Sequence, residues 1–134
     1  MDYMREALKE AKRSLKTNDV PIGAVAVVKG KIIARAHNEK EKRNDATAHA
    51  ELLCLQKAAK KLGTWRLYEV ELYTTLEPCA MCAGAMVLAR IKKLVYGTGT
   101  QKKVLNHKVK VIKGVMEEEC TKLIKSFFEE LRKN

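Results

Sequence analysis

The order of elements along this 134-residue chain predicts an α/β domain of three layers, in which helices flank one mixed central sheet. Two observations predict this class. Runs rich in β-forming residues alternate with amphipathic runs of helical period. Hydrophobic residues make up 46% of the chain, which is enough to build a core. Because no repeat, low-complexity tract or linker interrupts this order, we expect a single domain over residues 1–134.

The N-terminal elements are a helix and a hairpin. Asp2–Lys16 carries its apolar residues on one helical face, with Asp2 as the expected N-cap. Ile22–Val28 and Lys31–Ala36 are β-rich runs joined at Lys29-Gly30, which predicts an antiparallel hairpin.

The remaining elements follow at short intervals. Cys79–Arg90 is nearly apolar on all sides, which predicts that this helix is buried. The other predictions are a charged loop at Asn38–Asn44, a helix at Thr47–Leu62 ending at Gly63, strands at Glu71–Thr75, Lys93–Tyr96 and Val109–Ile112, and a closing helix at Met116–Leu131.

The chain carries a large excess of positive charge, with 27 Lys and Arg against 16 Asp and Glu and a net charge of +11. This excess favours a polyanionic partner such as nucleic acid, but a well-solvated thermostable surface would show a similar enrichment. No apolar run approaches the roughly 20 residues of a membrane span. The first 16 residues alternate charge with apolar residues, unlike a signal peptide. We therefore expect a cytoplasmic protein with no membrane partner.

Two short motifs carry the chemistry, and they supply one imidazole, two thiols and one carboxylate. Cys79 and Cys82 are three residues apart at the start of a predicted helix, so both thiols face the same way and the helix N-terminus favours the thiolate. With His49 they are predicted to supply the three protein ligands of a catalytic zinc site, in which the pKa of a bound water falls to about 7. Glu51 is predicted to carry protons from that water to the substrate.

A structural zinc site is the alternative, and it would need a fourth protein ligand. The candidates are Cys54, Cys120, His37 and His107. We expect both cysteines to be small core residues, His37 to end a strand, and His107 to lie in a Lys-rich loop. The order H-x-E followed by P-C-x-x-C instead resembles the signature of zinc-dependent nucleobase deaminases.

Segments throughout nearly the whole chain resemble the bacterial tRNA-specific adenosine deaminases of the cytidine/deoxycytidylate deaminase superfamily. They are Val20–Val25, Ala36–Asn38, Asp45–Glu51, Thr75–Met86, Leu105–Val109 and Phe127–Arg132. The resemblance implies a three-layer cytidine-deaminase-like fold, a homodimer, and hydrolytic deamination of the wobble adenosine of tRNA(Arg) to inosine.

The resemblance also implies roles for individual residues. His49, Cys79 and Cys82 match the ligands of one Zn²⁺ per subunit, and Glu51 matches the proton shuttle. Asn38 matches the asparagine that hydrogen-bonds the target base, although a turn residue after a strand is the alternative. Ala48, Glu77 and Pro78 match the lining of the same pocket.

The basic residues expected to hold the phosphates of a tRNA anticodon stem-loop are Lys102, Lys103, His107, Lys108, Lys110 and Arg132. A solvated helix face is the alternative for such charges. One segment departs from the family, because Gly97–Val104 leads almost at once into Leu105-Asn106-His107, where family members carry a longer connection. The shortening leaves the zinc chemistry untouched and bears on tRNA specificity and oligomeric state.

Two other functions stay open. The same metal centre could deaminate a free base or nucleoside of guanine or cytosine type, but such an enzyme has less need of a net charge of +11. The chain could also be a non-catalytic, zinc-stabilised RNA-binding subunit. Such subunits are expected to lose the shuttle carboxylate, whereas Glu51 is present.

Overall fold

The computed structural model describes residues 1–99 and 109–133. The chain alternates helices with strands in the predicted order. The helices are α1 (Tyr3–Arg13), α2 (Lys40–Arg43), α3 (Ala50–Leu62), α4 (Ala80–Ala89) and α5 (Glu117–Arg132), with a 3-10 turn at Ser14–Thr17. The strands are β1 (Gly23–Val28), β2 (Lys31–His37), β3 (Glu71–Leu76), β4 (Lys93–Thr98) and β5 (Lys110–Ile112).

The five strands form one sheet in the order β2-β1-β3-β4-β5. β1 pairs antiparallel with β2, as the Lys29-Gly30 turn predicts, and antiparallel with β3. β3, β4 and β5 run parallel to one another, and the connection from β3 to β4 passes through α4. The predicted mixed sheet is therefore confirmed.

The helices cover both faces of this sheet. α3 and α4 contact each other, and the side chains of Leu72 and Leu94 point into the core beneath them. α1 packs on β1, β2 and β3, and α5 packs on β4. Apolar residues of α1 and α5 form a second cluster with Tyr73 and Val95. These two residues follow Leu72 and Leu94 in β3 and β4, so their side chains point to the opposite face of the sheet. The two metal-motif helices thus lie together on one face.

The approach of α1 to β1 is close enough to require a glycine. A methyl group on Gly23 would overlap the carbonyl oxygen of Ala7 and the backbone nitrogen of Ala11. The N–H of Gly23 donates to the Thr75 hydroxyl at 3.1 Å, so β1 is held against β3 at the same point. α1 is thereby fixed close to the end of the sheet that bears the site.

Helix α4 differs from the prediction of full burial. Cys82, Ala83 and Met86 are buried, but Leu88 is 76% exposed and Met81 is 39% exposed. The helix is apolar all round, yet the described residues cover only the side that faces α3 and the sheet. The apolar composition of α4 therefore did not predict how much of the helix is buried.

The predicted loop at Asn38–Asn44 is also corrected, because its middle forms the one-turn helix α2. The carboxylate of Asp19, about twenty positions earlier in the chain, accepts from the N–H groups of Glu41 and Lys42. A cap from so distant a residue leaves no pattern in the sequence of the α2 segment itself.

No helix of the described residues combines the length and apolar character needed to cross a bilayer.

Candidate active site

Two helix N-termini bring the motif residues together. His49 is the N-cap residue of α3 and Cys79 is the N-cap residue of α4, both with extended backbone. Cys82 lies in the first turn of α4, so both thiols project from the same end of that helix. α3 and α4 pack side by side, and their first turns therefore converge on one point.

The three donor atoms at this point have the spacing of a metal site. The Nδ1 atom of His49 lies 3.6 Å from the Sγ atom of Cys79 and 3.6 Å from that of Cys82, and the three donors fall within 4.8 Å of one another. Tetrahedral zinc with ordinary Zn–N and Zn–S bonds requires an N-to-S separation of about 3.6 Å. The residues present therefore fit a zinc ion.

No fourth protein ligand lies beside the three among residues 1–99 and 109–133. Cys54 and Cys120 are buried in the two apolar clusters, as predicted. His37 is the last residue of β2, and its Nδ1 atom lies 3.6 Å from the Oε1 atom of Glu10. His107 lies outside the described residues. A set of three ligands is typical of a catalytic rather than a structural zinc site.

Glu51 lies in the first turn of α3, two residues after His49, and is only 3% exposed. Burial raises the pKa of its carboxyl to about 7. Its Oε1 atom has no hydrogen-bond partner among the described residues. Burial also raises the pKa of the Cys82 thiol, and the charge of Glu51 adds to this shift. A buried carboxylate with a free oxygen, two residues after a member of a trio that could hold a metal, is suited to proton transfer.

One of the segments predicted to bind the base adjoins His49. Asn38 follows β2, is buried, and has an amide oxygen without a partner among the described residues. The N–H of Glu39 donates to the carbonyl oxygen of Ala48 at 2.9 Å, which closes the segment between Asn38 and His49 into a loop. Ala48 is buried at the end of that loop.

On the other side, Pro78 is buried and Glu77 is half-buried, immediately before the first cysteine. The N–H of Glu77 donates to the carbonyl oxygen of Thr98 at 2.8 Å, which anchors this turn to the end of β4. Each predicted pocket segment thus adjoins one of the residues that could hold a metal ion.

Of the predicted phosphate-binding residues, the two that the structure describes, Lys110 and Arg132, are not part of this cluster. Lys102, Lys103, His107 and Lys108 lie outside the described residues. Lys110 is exposed in β5 opposite Lys93, at the start of the parallel strands, whereas the cysteines follow their far end. Arg132 is exposed in the last turn of α5.

Sequence reasoning missed two buried polar residues behind the Asn38 loop. Ser14 is fully buried and its hydroxyl donates to the Asn38 carbonyl oxygen at 2.8 Å. Asp19 is 1% exposed and caps α2. The only sign of these residues in the sequence was that the helical period of α1, continued to Ser14, places this serine on the face that points to the core.

Comparison with known proteins agrees with this geometry. The family model of the MafB19-like deaminases matches residues 1–132. The fold and the site thus define a deaminase. The tRNA-specific adenosine deaminase of Bacillus subtilis is 51% identical over 144 residues, covering 98% of this chain and 89% of the relative. The chain belongs to the family of tRNA-specific adenosine deaminases.

Two solved structures mark the range of substrates among its relatives. One, from work on A-to-I editing by tRNA:A34 deaminases at the wobble position, is 38% identical with a TM-score of 0.83 and covers 90% of this chain and 97% of that one. The guanine deaminase of Bacillus subtilis is 40% identical with a TM-score of 0.69. That match covers 72% of this chain and 62% of the guanine deaminase.

Proposed function

We propose that this protein hydrolyses adenosine to inosine and ammonia at the wobble position of tRNA(Arg), with one zinc ion held by His49, Cys79 and Cys82. The observation that carries the chemistry is the trio of donor atoms, spaced as tetrahedral zinc requires, beside the buried carboxylate of Glu51. When bound, zinc supplies a Lewis acid that makes water a nucleophile at neutral pH.

Glu51 carries the protons in this scheme. Its carboxylate accepts one proton from the attacking water and passes it to the ring nitrogen as the C–O bond forms. It then accepts the second proton of that water and passes it to the amino group, which leaves as ammonia when the C–N bond breaks. Burial keeps the carboxylate apart from bulk water, so protons pass between water and base. The free Oε1 atom is available for these transfers, since no described residue bonds it.

Asn38 is proposed to recognise the base. An amide both donates and accepts hydrogen bonds, which suits the edge of a purine ring. Its buried amide oxygen has no partner among the described residues, and an unmade buried hydrogen bond is costly. A substrate base would supply the missing partner. Ala48 and Pro78, both buried, would shape the walls of the pocket, with the main chain of Glu77 beside them.

RNA is favoured as the substrate by two observations. The relatives from Bacillus subtilis and Streptococcus pyogenes that align along nearly all of this chain are named tRNA-specific adenosine deaminases. The net charge of +11 suits a polyanion. We propose that residues 1–134 form a single deaminase domain, which binds the anticodon stem-loop of the tRNA in the cytoplasm. The residues proposed to hold the phosphates are Lys102, Lys103, His107, Lys108, Lys110 and Arg132.

Deamination of free guanine is the second candidate. The guanine deaminase of Bacillus subtilis is 40% identical to this chain, which favours this alternative, but the match covers only 62% of that enzyme.

The alignment with the tRNA-specific adenosine deaminase of Bacillus subtilis spans 144 residues, more than the chain contains, so that relative has residues that this chain lacks. We propose that they correspond to the shortened connection after Tyr96.

A homodimer is proposed through the exposed apolar face of α3 and α4. Leu52, Leu55, Ala85 and Leu88 line a shallow groove there, and Trp65, at its edge, is 52% exposed. A second copy of the chain would cover this surface, because exposed apolar patches of this kind are typical of protein interfaces.

The test is a direct comparison of substrates. Zinc-loaded protein is incubated with a tRNA(Arg) anticodon stem-loop bearing the wobble adenosine, the same sequence as single-stranded DNA, and free guanine, cytosine and adenosine. We expect inosine in the stem-loop and little turnover of the free compounds. Faster release of ammonia from guanine than from the stem-loop would replace this proposal with the second candidate.

A further inference from the structure

The backbone of Asn38 is fixed entirely by the segment between α1 and β1. Its N–H donates to the carbonyl oxygen of Ile22 at 3.0 Å, and its carbonyl oxygen accepts from the Ser14 hydroxyl at 2.8 Å. Ser14 is fully buried, so water does not compete for this bond. The N–H and the carbonyl oxygen of Asn38 therefore both have hydrogen-bond partners within the protein, and only its side chain is left to bind a substrate.

A second anchor holds the loop that follows Asn38. The buried carboxylate of Asp19 accepts from the N–H of Glu41 at 2.6 Å, from that of Lys42 at 3.3 Å, and from the Thr17 hydroxyl at 2.7 Å. α2 has only four residues, and the side chain of its N-cap residue, Glu39, makes no capping hydrogen bond to the helix backbone. A helix this short is not stable without outside contacts, and Asp19 supplies two of them.

The anchored loop joins the two halves of the site. It begins at Asn38, closes through the bond from Glu39 to Ala48, and ends at His49. A shift of the loop would move the base-binding amide relative to the metal ligand. Displacements of about 1 Å at such positions can cost orders of magnitude in rate.

We propose that Ser14 and Asp19 are positioning residues for adenosine recognition, which hold the Asn38 amide at a fixed distance from the metal centre. This inference rests on the proposed function, since Asn38 recognises a base only if a base is the substrate. Neither residue touches the substrate, and each acts through the Asn38 loop.

The experiment is a double-mutant cycle on zinc-loaded protein with the tRNA stem-loop. We expect Ser14→Ala to lower kcat/KM about three- to tenfold, the usual value of one hydrogen bond, with unchanged zinc content. In an Asn38→Ala background the same substitution should change kcat/KM less than twofold, because the group that it positions is gone. Asp19→Asn should show the same dependence on Asn38.

The matched control is Tyr3→Phe, which also removes a hydroxyl bond to a main-chain carbonyl, that of Gly30 at 2.7 Å, but does not contact the Asn38 loop. We expect it to leave kcat/KM unchanged. If Asn38→Ala turns over too slowly, the cycle is measured as stem-loop dissociation constants in a Glu51→Gln background. If Ser14→Ala loses its fold, Asp19→Asn provides the same cycle.

The outcomes separate the two levels of the proposal. No turnover of the stem-loop by the unaltered protein would overturn the proposed function. Full activity of Asn38→Ala would overturn the role of Asn38 and this inference with it. Equal losses from Ser14→Ala with and without Asn38 would show that Ser14 only stabilises the fold, while the proposed function would stand.

Discussion

The carboxylate of Glu51 is buried, lacks a partner for one oxygen among the described residues, and lies in the first turn of the helix that His49 caps. A buried carboxylate in this condition is costly to maintain, since an unsatisfied polar group loses its water without replacement. The proposed proton transfers account for it.

Replacing Glu51 by Gln should therefore keep the metal and lose the reaction. The amide has the same shape but cannot accept the proton of water, and we expect a fall in kcat of at least about 10²-fold with one zinc per chain. Inosine formation and metal analysis give the two values. Glu69→Gln, at an exposed position, is the control and should retain full activity. An active Glu51→Gln enzyme would refute the shuttle role.

The cysteines provide a second prediction at this scale. Cys82→Ala should release zinc and lower the melting temperature, because metal binding is coupled to folding. Cys54→Ala removes the same sulfur atom from an equally buried position in the core and should keep its zinc. A chelator should then lower the melting temperature of Cys54→Ala but not that of Cys82→Ala. Equal zinc contents of the two variants would contradict the ligand assignment.

Among the elements, the contact of α1 with β1 is the most restrictive. Because a Cβ atom on Gly23 would overlap backbone atoms of Ala7 and Ala11, neither partner can yield by a change of rotamer. We expect Gly23→Ala to lower the free energy of unfolding by at least about 2 kcal/mol in urea titrations. Gly84→Ala, in α4 with open space around it, is the control and should be no less stable than the parent.

Which elements the sequence could predict depends on where their stabilising contacts lie. Asp2 caps α1 and Gly63 ends α3 in the left-handed conformation, and both signals are local. α2 could not be predicted, because its cap is Asp19. The site followed the same rule. The metal motifs stand at helix starts and were visible, whereas Ser14 acts on Asn38 from 24 positions away.

Across the whole molecule, the apolar groove between α3 and α4 is the surface on which assembly is proposed. Leu88→Lys places a charge at its most exposed apolar side chain, and we expect a dimer to become a monomer in sedimentation experiments. Leu131→Lys, on the exposed side of α5, should leave the dimer intact. Dissociation by Leu131→Lys alone would move the proposed interface to α5.

The net charge of +11 gives a prediction for binding as a function of salt. A protein that neutralises six or more phosphates loses affinity by about 10³-fold or more between 50 and 200 mM salt, because bound counterions are released. We expect stem-loop binding to follow such a slope in a fluorescence titration. A flat response would favour a small-molecule substrate.

The burial of three of the four cysteines offers a readout of metal content in the intact protein. Cys54, Cys82 and Cys120 are almost completely inaccessible, so a thiol reagent reaches none of them without unfolding. Cys79 is exposed at the start of α4 and is the thiol that a bound metal would mask. The amplitude of the rapid phase in a colorimetric thiol assay should thus measure the fraction of molecules that lack their metal, without a denaturation step.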